Sequence, residues 1–500
     1  MNKVRHILCF CLILSGMAVS AQTYDHVFRR NFWNGSRNAA GIRLDSLSRS
    51  YAETYGSYSG GGFKDTWQAE DTWSAGAVTK SIRHLENISL AGSFSFDQTE
   101  GYGMCGSMFI NPGYYPIDVL EFTPGRKTLQ TYSFDGRISY DISDRWSIGA
   151  GIDFMSANMA KRKDLRHSNW LLDLTVAPGV TYRRGGLTIG ASPVFRKTSE
   201  TVDAEQIGTA ESSYYAFFDK GLMYGVHQVW TGSGVHLHES GVNSLPVREY
   251  SYGGALQIQH KGIYADFEYL HTSGSVGEKE YIWYEFPGHK VSADLCYKFM
   301  DDAEEHYLKL RFDWSVQDMS ESILEKVTEN GISTVINHGS NGIYSRERWV
   351  VVPEYDFVSD RIDLHAELVF EGFNGLSFQM YPYVMSQSVM TVSALMSAVV
   401  HLGRFDLTVD LGGAGGEVSE SERMLSDIQT QTSPYRMQEW YDRQMEYRTA
   451  GRLNAGLSLK YDLPKGVYVE AGGNWLHGMK LQYLDGADRF GASLKLGYVF

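Results

Sequence analysis

The last eleven residues limit the fold more than any other segment. Phe490, Ala492, Leu494, Leu496, Tyr498 and Phe500 alternate with Gly491, Ser493, Lys495, Gly497 and Val499. A period of two places each set on one face of a strand, one wholly apolar and the other mostly polar or small. The same rhythm recurs along the chain. Tyr132, Phe134, Ile138, Tyr140 and Ile142 form one apolar set. Trp146, Ile148, Ala150, Ile152 and Phe154 form the next, across the turn Ser143-Asp144-Arg145. Leu308, Leu310, Phe312 and Trp314 form another, and Leu453 through Leu463 repeats it at odd positions.

A soluble sandwich also alternates, with its apolar face inward. Two features favour the membrane instead. These runs last about ten residues or more, whereas soluble strands average about five or six. Aromatics also gather at strand ends, at Tyr140, Trp146, Tyr182, Tyr461, Trp475 and Tyr498, where the girdles of a membrane barrel lie. Short turns near 83–87, 143–145, 183–186, 261–262, 300–305, 359–361, 403–404 and 464–466 alternate with longer polar stretches. Those stretches fall near 97–128, 156–168, 199–249, 272–288, 316–345 and 413–446. Short periplasmic turns and long outer loops are the outer-membrane arrangement. The expectation is an all-β, transmembrane, antiparallel up-and-down β-barrel of about 18–20 strands, with long external loops and no plug domain. Nineteen candidate segments can be drawn, and single-chain barrels of this kind have even counts. The parity error falls between 316 and 402: either Gly331–Asn337 hides a strand, or two segments in 362–402 are one.

Composition agrees. The 500 residues include 32 Tyr, 24 Phe, 11 Trp and 52 Gly but only 11 Pro, a bias towards strands. Mean hydropathy is −0.29, because such strands show lipid only every second residue. No apolar run could form a membrane helix. A net charge of −14 argues against nucleic acid as a partner. Residues 1–21 read as a signal peptide: Lys3 and Arg5, then apolar Ile7–Val19, then Val19-Ser20-Ala21 before a cut at Ala21/Gln22. Losing those two cations takes the charge from −14 to −16. Residues 22–46 would form a short periplasmic or luminal segment, and 47–500 the barrel. Only about 25 residues separate the cut from the first strand near Leu47, judged by alternation, too few for the plug of a TonB-dependent receptor. Cys105 and Cys296 remain after cleavage, with their pairing open.

The terminal Tyr498 and Phe500 resemble the signal read by the barrel assembly machinery, which implies that machinery as a partner. The chain also resembles an uncharacterised outer-membrane β-barrel family of Bacteroidota. The likeness rests on Trp33-Asn34-Gly35-Ser36-Arg37-Asn38-Ala39-Ala40-Gly41, on Asp164-Leu165-Arg166 followed by Asn169, and on Ala177-Pro178-Gly179 inside a strand. This implies the cell outer membrane and a barrel, not a substrate. A second likeness, of Asn38-Ala39-Ala40-Gly41-Ile42 to an Asn-Pro-Ala type motif of long-chain fatty-acid transporters, lacks the Pro. An N-cap or turn is the other reading of that stretch.

Candidate sites are sparse. The inward set Asp135, Arg137, Asp153, Asp173, Asp294, Lys309, Arg311, Asp313, Asp363, His365 and Glu367 reads as paired luminal charge rather than acid–base chemistry. No enzyme and no cofactor are expected. His236 and His238 are weak metal candidates in the longest loop. Lys161, Arg162, Lys163 and Arg166 form a basic group at the level of lipopolysaccharide phosphates, suited to those or to another anion. Tyr214, Tyr215, Phe217, Phe218 and Trp230 make that longest loop too apolar for free exposure, so it packs or constricts the mouth. The expected function is transport or channel activity for a small or apolar solute. The alternatives are a surface-binding or structural barrel with an envelope partner protein, and an outer-membrane enzyme.

Overall fold

A computed structural model describes residue 28 and residues 31–45, 47–205, 214–230, 244–278, 281–301, 304–380, 383–421 and 437–500. The signal-peptide assignment and His236 and His238 lie outside them. The described chain forms twenty strands in one antiparallel sheet. They are β1 (Arg49–Gly61), β2 (Asp71–His84), β3 (Ile88–Ser107), β4 (Asp118–Asp141), β5 (Trp146–Lys161), β6 (Arg166–Arg184) and β7 (Leu187–Glu205). Then come β8 (Tyr214–Asp219), β9 (Gly225–Trp230), β10 (Ser244–His260), β11 (Ile263–Glu278), β12 (Tyr281–Asp301) and β13 (Glu304–Glu329). The last are β14 (Ile332–Val358), β15 (Ile362–Met380), β16 (Tyr383–Leu402), β17 (Phe405–Glu420), β18 (Arg452–Asp462), β19 (Val467–Gly478) and β20 (Asp488–Val499).

Eighteen of these close the barrel, because β8 and β9 form a separate hairpin and β7 pairs directly with β10. Closure joins the two ends of the chain: β1 pairs with β20 from Tyr51↔Val499 to Gly61↔Arg489. Ser50 and Phe500 exchange both backbone hydrogen bonds, at 3.1 and 2.9 Å. Phe500 stacks on Tyr498 at 5.7 Å. A closed ladder leaves no unpaired strand edge, which is what allows strands to stand in hydrocarbon.

The outward set forms the lipid belt. Leu256, Met396, Leu411, Leu457, Leu494 and Leu496 are each more than half exposed. Aromatic pairs border it: Trp146–Tyr182 at 4.8 Å and Phe405–Tyr461 at 4.6 Å at the periplasmic rim, Tyr58–Trp73 at 4.8 Å at the outer one. No described helix is long and apolar enough to cross a membrane. Cys105 and Cys296 are free.

The expected long loops need correction. Most of those stretches are strand. The connection near 97–128 shrinks to 108–117, that near 156–168 to 162–165, and that near 272–288 to 279–280. The stretch 316–345 is a hairpin, β13–β14, turning at Asn330-Gly331. This resolves the parity: β14 begins within Gly331–Asn337, and β15 and β16 are two strands. Beyond the bilayer neither wall face meets lipid, so alternation fades while the hydrogen-bond ladder continues. The missed signal was Asn330-Gly331. Their φ angles of 53° and 80° suit a two-residue type I′ turn, which requires positive φ at both positions.

The belt generates a test. Leu457→Arg places a charge on the lipid face and should cost about 2–4 kcal/mol if the site lies near the bilayer midplane. Ser458→Arg, on the luminal side of the same strand, should cost much less. Guanidinium unfolding from liposomes measures both. Equal costs would overturn the assignment of faces.

Candidate functional site: the barrel lumen

An 18-strand wall encloses more space than its own side chains fill; barrels of 16–18 strands leave an aqueous channel. Here other parts of the chain enter that space from both ends.

At the periplasmic end, residues 31–44 form two short 3₁₀ turns, Phe32–Gly35 and Ala39–Leu44. Asn31 caps the first and Asn38 the second, the latter accepting from Ala40 N at 3.1 Å. The Asn38 stretch is thus a helix cap, with a further role. Its Nδ2 donates to Val180 O, Ala191 O and Gln257 Oε1 at 3.1, 3.3 and 2.9 Å, tying the segment to β6, β7 and β10. Around it Trp33 Nε1 donates to Gln259 Oε1 (2.6 Å) and Ser36 Oγ to Asp266 Oδ2 (2.7 Å). Arg37 pairs with Asp153 at 2.7 Å and Arg43 with Asp141 at 2.9 Å. Arg137 donates to Ser36 O (3.0 Å) while keeping its bond to Asp135 (3.1 Å). Trp33, Ala39, Ala40 and Ile42 are fully buried or nearly so.

The wall is shaped to receive this plug. A Cβ added at Gly179 would sit 2.1 Å from Asn38 Oδ1, and one at Gly149 2.5 Å from Ala40 N. Both contacts are closer than side chains tolerate, so the receptacle requires glycine there. The expectation of a barrel without a plug domain therefore narrows: a short luminal plug is present among the described residues.

At the outer end, β3 and β4 shift register between Gly101 and Met104 and again between Met104 and Gly106, bulges that bend and twist a ladder. Past them the loop 108–117 crosses the mouth. Arg346 on β14 receives it, donating to Gly113 O (2.9 Å), Tyr115 O (3.0 Å) and Tyr114 O. β14 lies nearly opposite, with β5, β6, β7, β10, β11, β12 and β13 between. Glu249 accepts from Tyr114 Oη at 2.9 Å and pairs with Lys290 at 2.6 Å. Asn169 donates to Met108 O (2.6 Å) and Glu200 Oε1 (2.9 Å), and Ile110 N donates to the same Glu200 oxygen (2.8 Å). The hairpin β8–β9 adds to the inward edge of β4, from Asp118↔Asp219 to Glu121↔Ala216. A helix, α1 (Met437–Thr449), packs Met437, Tyr441 and Met445 against Phe122, Phe217 and Met223. In loop 62–70 the buried Asp65 carboxyl is pushed up to about 6 by desolvation, partly offset by hydrogen bonds from Thr66 and by Arg448.

The residues singled out from sequence fall as follows. Phe217 and Phe218 are buried in this cap; Tyr214, Tyr215 and Trp230 lie on the strands of its hairpin. Lys161 does not reach the outer surface: it is buried, pairs with Glu121 and faces the lumen, because alternation along β5 turns odd positions inward. Arg162 and Lys163 are exposed, and Arg166 pairs with Asp164 at 3.0 Å. The inward charges are largely matched. Arg196 grips Asp173 through Nε and Nη2, Lys309 meets Asp356 at 3.0 Å, and His365 bonds the same Asp356 at 2.8 Å. Sequence reading missed Arg346, Glu249 and Gln317, whose surroundings are set by partners far away in the chain. Two cavities stand out. One of about 1090 Å³, lined by outward Tyr58, Trp73, Phe96 and Leu494 among others, faces lipid. One of about 260 Å³ is luminal.

These features define an outer-membrane-type β-barrel whose lumen is entered by its own chain at both ends. Within that class, the chain belongs to a family of unknown function (DUF6850), whose model matches residues 39–500. No curated protein matches it. Solved structures with a similar wall include the FrpB iron transporter from Neisseria meningitidis (9% identity, 93% of this chain and 83% of that chain, TM-score 0.43). Others are a mutant of the ferric enterobactin receptor PfeA from Pseudomonas aeruginosa (11%, 91% and 81%, 0.42) and the outer membrane transporter YddB from Escherichia coli (8%, 90% and 81%, 0.42). At such identities and scores the likeness is one of barrel architecture, and no solute follows from it.

The receptacle can be tested directly. Gly179→Ala should displace the plug, raising trypsin cleavage at Arg37 and Arg43 several-fold by steric exclusion, while the heat-modifiable gel mobility of the barrel stays unchanged. Unaltered cleavage would show that the segment does not depend on this contact.

Proposed function

We propose that this protein is an outer-membrane transport barrel for a small solute, gated from the periplasmic side by residues 31–44. The observation that carries the reading is the kind of contact holding the plug. Asn38, Ser36, Arg37 and Arg43 bind the wall through hydrogen bonds and ion pairs. Such groups exchange for water at a net cost of about 0.5–1.5 kcal/mol for a neutral pair and about 1.5–3 kcal/mol where a charge takes part. Trp33 and Ile42 are the plug's large buried apolar side chains. The cap differs. It buries Phe109, Ile117, Phe218, Trp283 and Phe286 in one apolar core, at about 1.5–3 kcal/mol per large side chain. A segment docked by exchangeable contacts in a fitted receptacle is a part that can leave and return while the wall stays closed. A barrel serving only as a structural anchor has no need of one.

The reading places the protein in the outer membrane, with its lipid and lipopolysaccharide as surroundings. Exposed Arg162 and Lys163 suit lipopolysaccharide phosphate. Tyr498 and Phe500 close the wall where an assembly signal for the barrel machinery would be read.

The gate is tested by locking it. Ser36→Cys with Asp266→Cys replaces a side-chain pair 2.7 Å apart by two thiols able to cross-link. Purified protein in liposomes should pass arabinose and conduct in KCl more slowly when oxidised, recovering on reduction. Mass spectrometry confirms the bridge. Identical flux in both states, with the bridge formed, would rule out gating by this segment. No flux in wild type and in a variant lacking residues 31–44 would rule out transport.

A further inference from the structure

The geometry points to the luminal cavity of about 260 Å³ as a binding site for a small organic anion with an apolar body. The inference rests on the transport reading for its biological role and deepens it by naming the solute class.

The cavity lies against the inner wall of β2 to β5, beneath loops 62–70 and 108–117. Its lining is largely apolar, with Trp67, Met104, Phe109, Leu129 and Met159. Two cations, Lys127 and Arg489, also line it, and no carboxylate does. That is unexpected in a chain with 59 acidic residues against 45 basic ones. Several other inward cations face carboxylates directly: Arg196 faces Asp173, Lys309 faces Asp356 and Lys290 faces Glu249. Arg346, by contrast, is held by carbonyls of the cap and does not line this cavity.

The bonding of the two cations supports an excess of positive charge here. Lys127 is buried, donates to Ser107 O at 2.8 Å and lies 3.4 Å from Glu121 Oε1. That carboxylate is shared with Lys161, so one anion stands between two lysines. Glu121 Oε1 is also buried without a hydrogen-bond donor. Arg489 donates to Ser59 Oγ at 2.9 Å and Ala69 O at 3.0 Å, both neutral acceptors. A guanidinium and an ammonium flanking a sulfur- and ring-lined hollow match a carboxylate, sulfate or phosphate carried on an apolar group. The volume suits about a dozen non-hydrogen atoms, below the range for drug-sized ligands, and excludes a long acyl chain from lying wholly inside.

The test uses full-length protein in detergent and three matched probes: phenylpropionate, phenylpropionamide and phenylpropylamine. Calorimetric titration should show the acid binding roughly tenfold or more tightly than the amide and the amine not at all. Added salt should weaken the acid selectively. Leu129→Trp, which fills the cavity and leaves both cations, should abolish binding. Arg489→Gln should reduce it roughly tenfold. Gel mobility confirms that each variant is folded, and the wild-type comparison of acid with amide stands even where a variant fails. Equal affinity for acid and amide, no binding of the acid, or binding indifferent to Leu129→Trp would overturn the site. Binding without flux in liposomes, in wild type and in the variant lacking residues 31–44, would leave the site standing and remove transport. Flux without binding would do the reverse.

Discussion

Everything in this molecule follows from the need to pair every backbone group of a wall that stands in lipid. A strand in hydrocarbon has no water to satisfy its N–H and C=O groups, so the sheet must close on itself. The ladder between β1 and β20 does this. Closure with eighteen strands has a consequence that smaller barrels avoid. The circle is too wide for wall side chains to meet across it, so whatever controls passage must come from elsewhere in the chain. Both fillers found here are built from segments adjoining wall strands: one precedes β1, and the other is made from the β3–β4 connection, the hairpin β8–β9 and α1.

The two fillers are attached by different physics. The plug enters a receptacle in which glycine has been left where any side chain would collide, and most of its bonds run between polar groups. The cap is an apolar core drawn from inner-wall positions such as Val202, Val247, Val276 and Tyr344, crossed by one buried arginine that satisfies three consecutive carbonyls. Removing a partner from such a buried charge leaves desolvated groups unmatched, a larger penalty than the same loss near water. The outer end is therefore the stiffer one, and the inner end the one suited to exchange.

Much of the wall was legible in sequence, because lipid imposes a rule on every second residue. Leu494, Leu457 and Phe134 declare their face without reference to any neighbour. The rule lapses where lipid ends. That is why the outer halves of β11 to β14 read as loops, and why Lys161 read as surface when its parity on β5 turns it inward towards Glu121. Asn330-Gly331 carried the missing hairpin in two residues. Inward charges and the apolar loop could be expected to pair and pack, but their partners were not legible. Arg346 and Tyr114 are 232 positions apart, and nothing local to either marks the other. The Trp33 to Gly41 stretch and Gly179 stood out as features of a resemblance. The structure gives them one physical meaning, since the first is the plug and the second is the wall position cut away to admit it.

The distribution of charge links these observations. A luminal wall carrying many carboxylates repels anions unless they are neutralised locally, and most are, by arginines and lysines on neighbouring strands. Beside the cavity between cap and wall the neutralisation is partial: Lys127 and Lys161 share the single carboxylate of Glu121, and Arg489 donates to neutral acceptors. A partly compensated positive field in a confined, low-dielectric hollow is stronger than the same charges would produce in water. It is also costly to maintain without an occupant, because burying two lysines against one carboxylate leaves charge only partly matched, which opposes folding. The wall tolerates it by giving the cations neutral carbonyl and hydroxyl acceptors at Ser107, Ala69 and Ser59, which solvate the charge without cancelling it. Such an arrangement keeps a site electropositive while empty, and favours the arrival of an anion over any neutral molecule of the same shape.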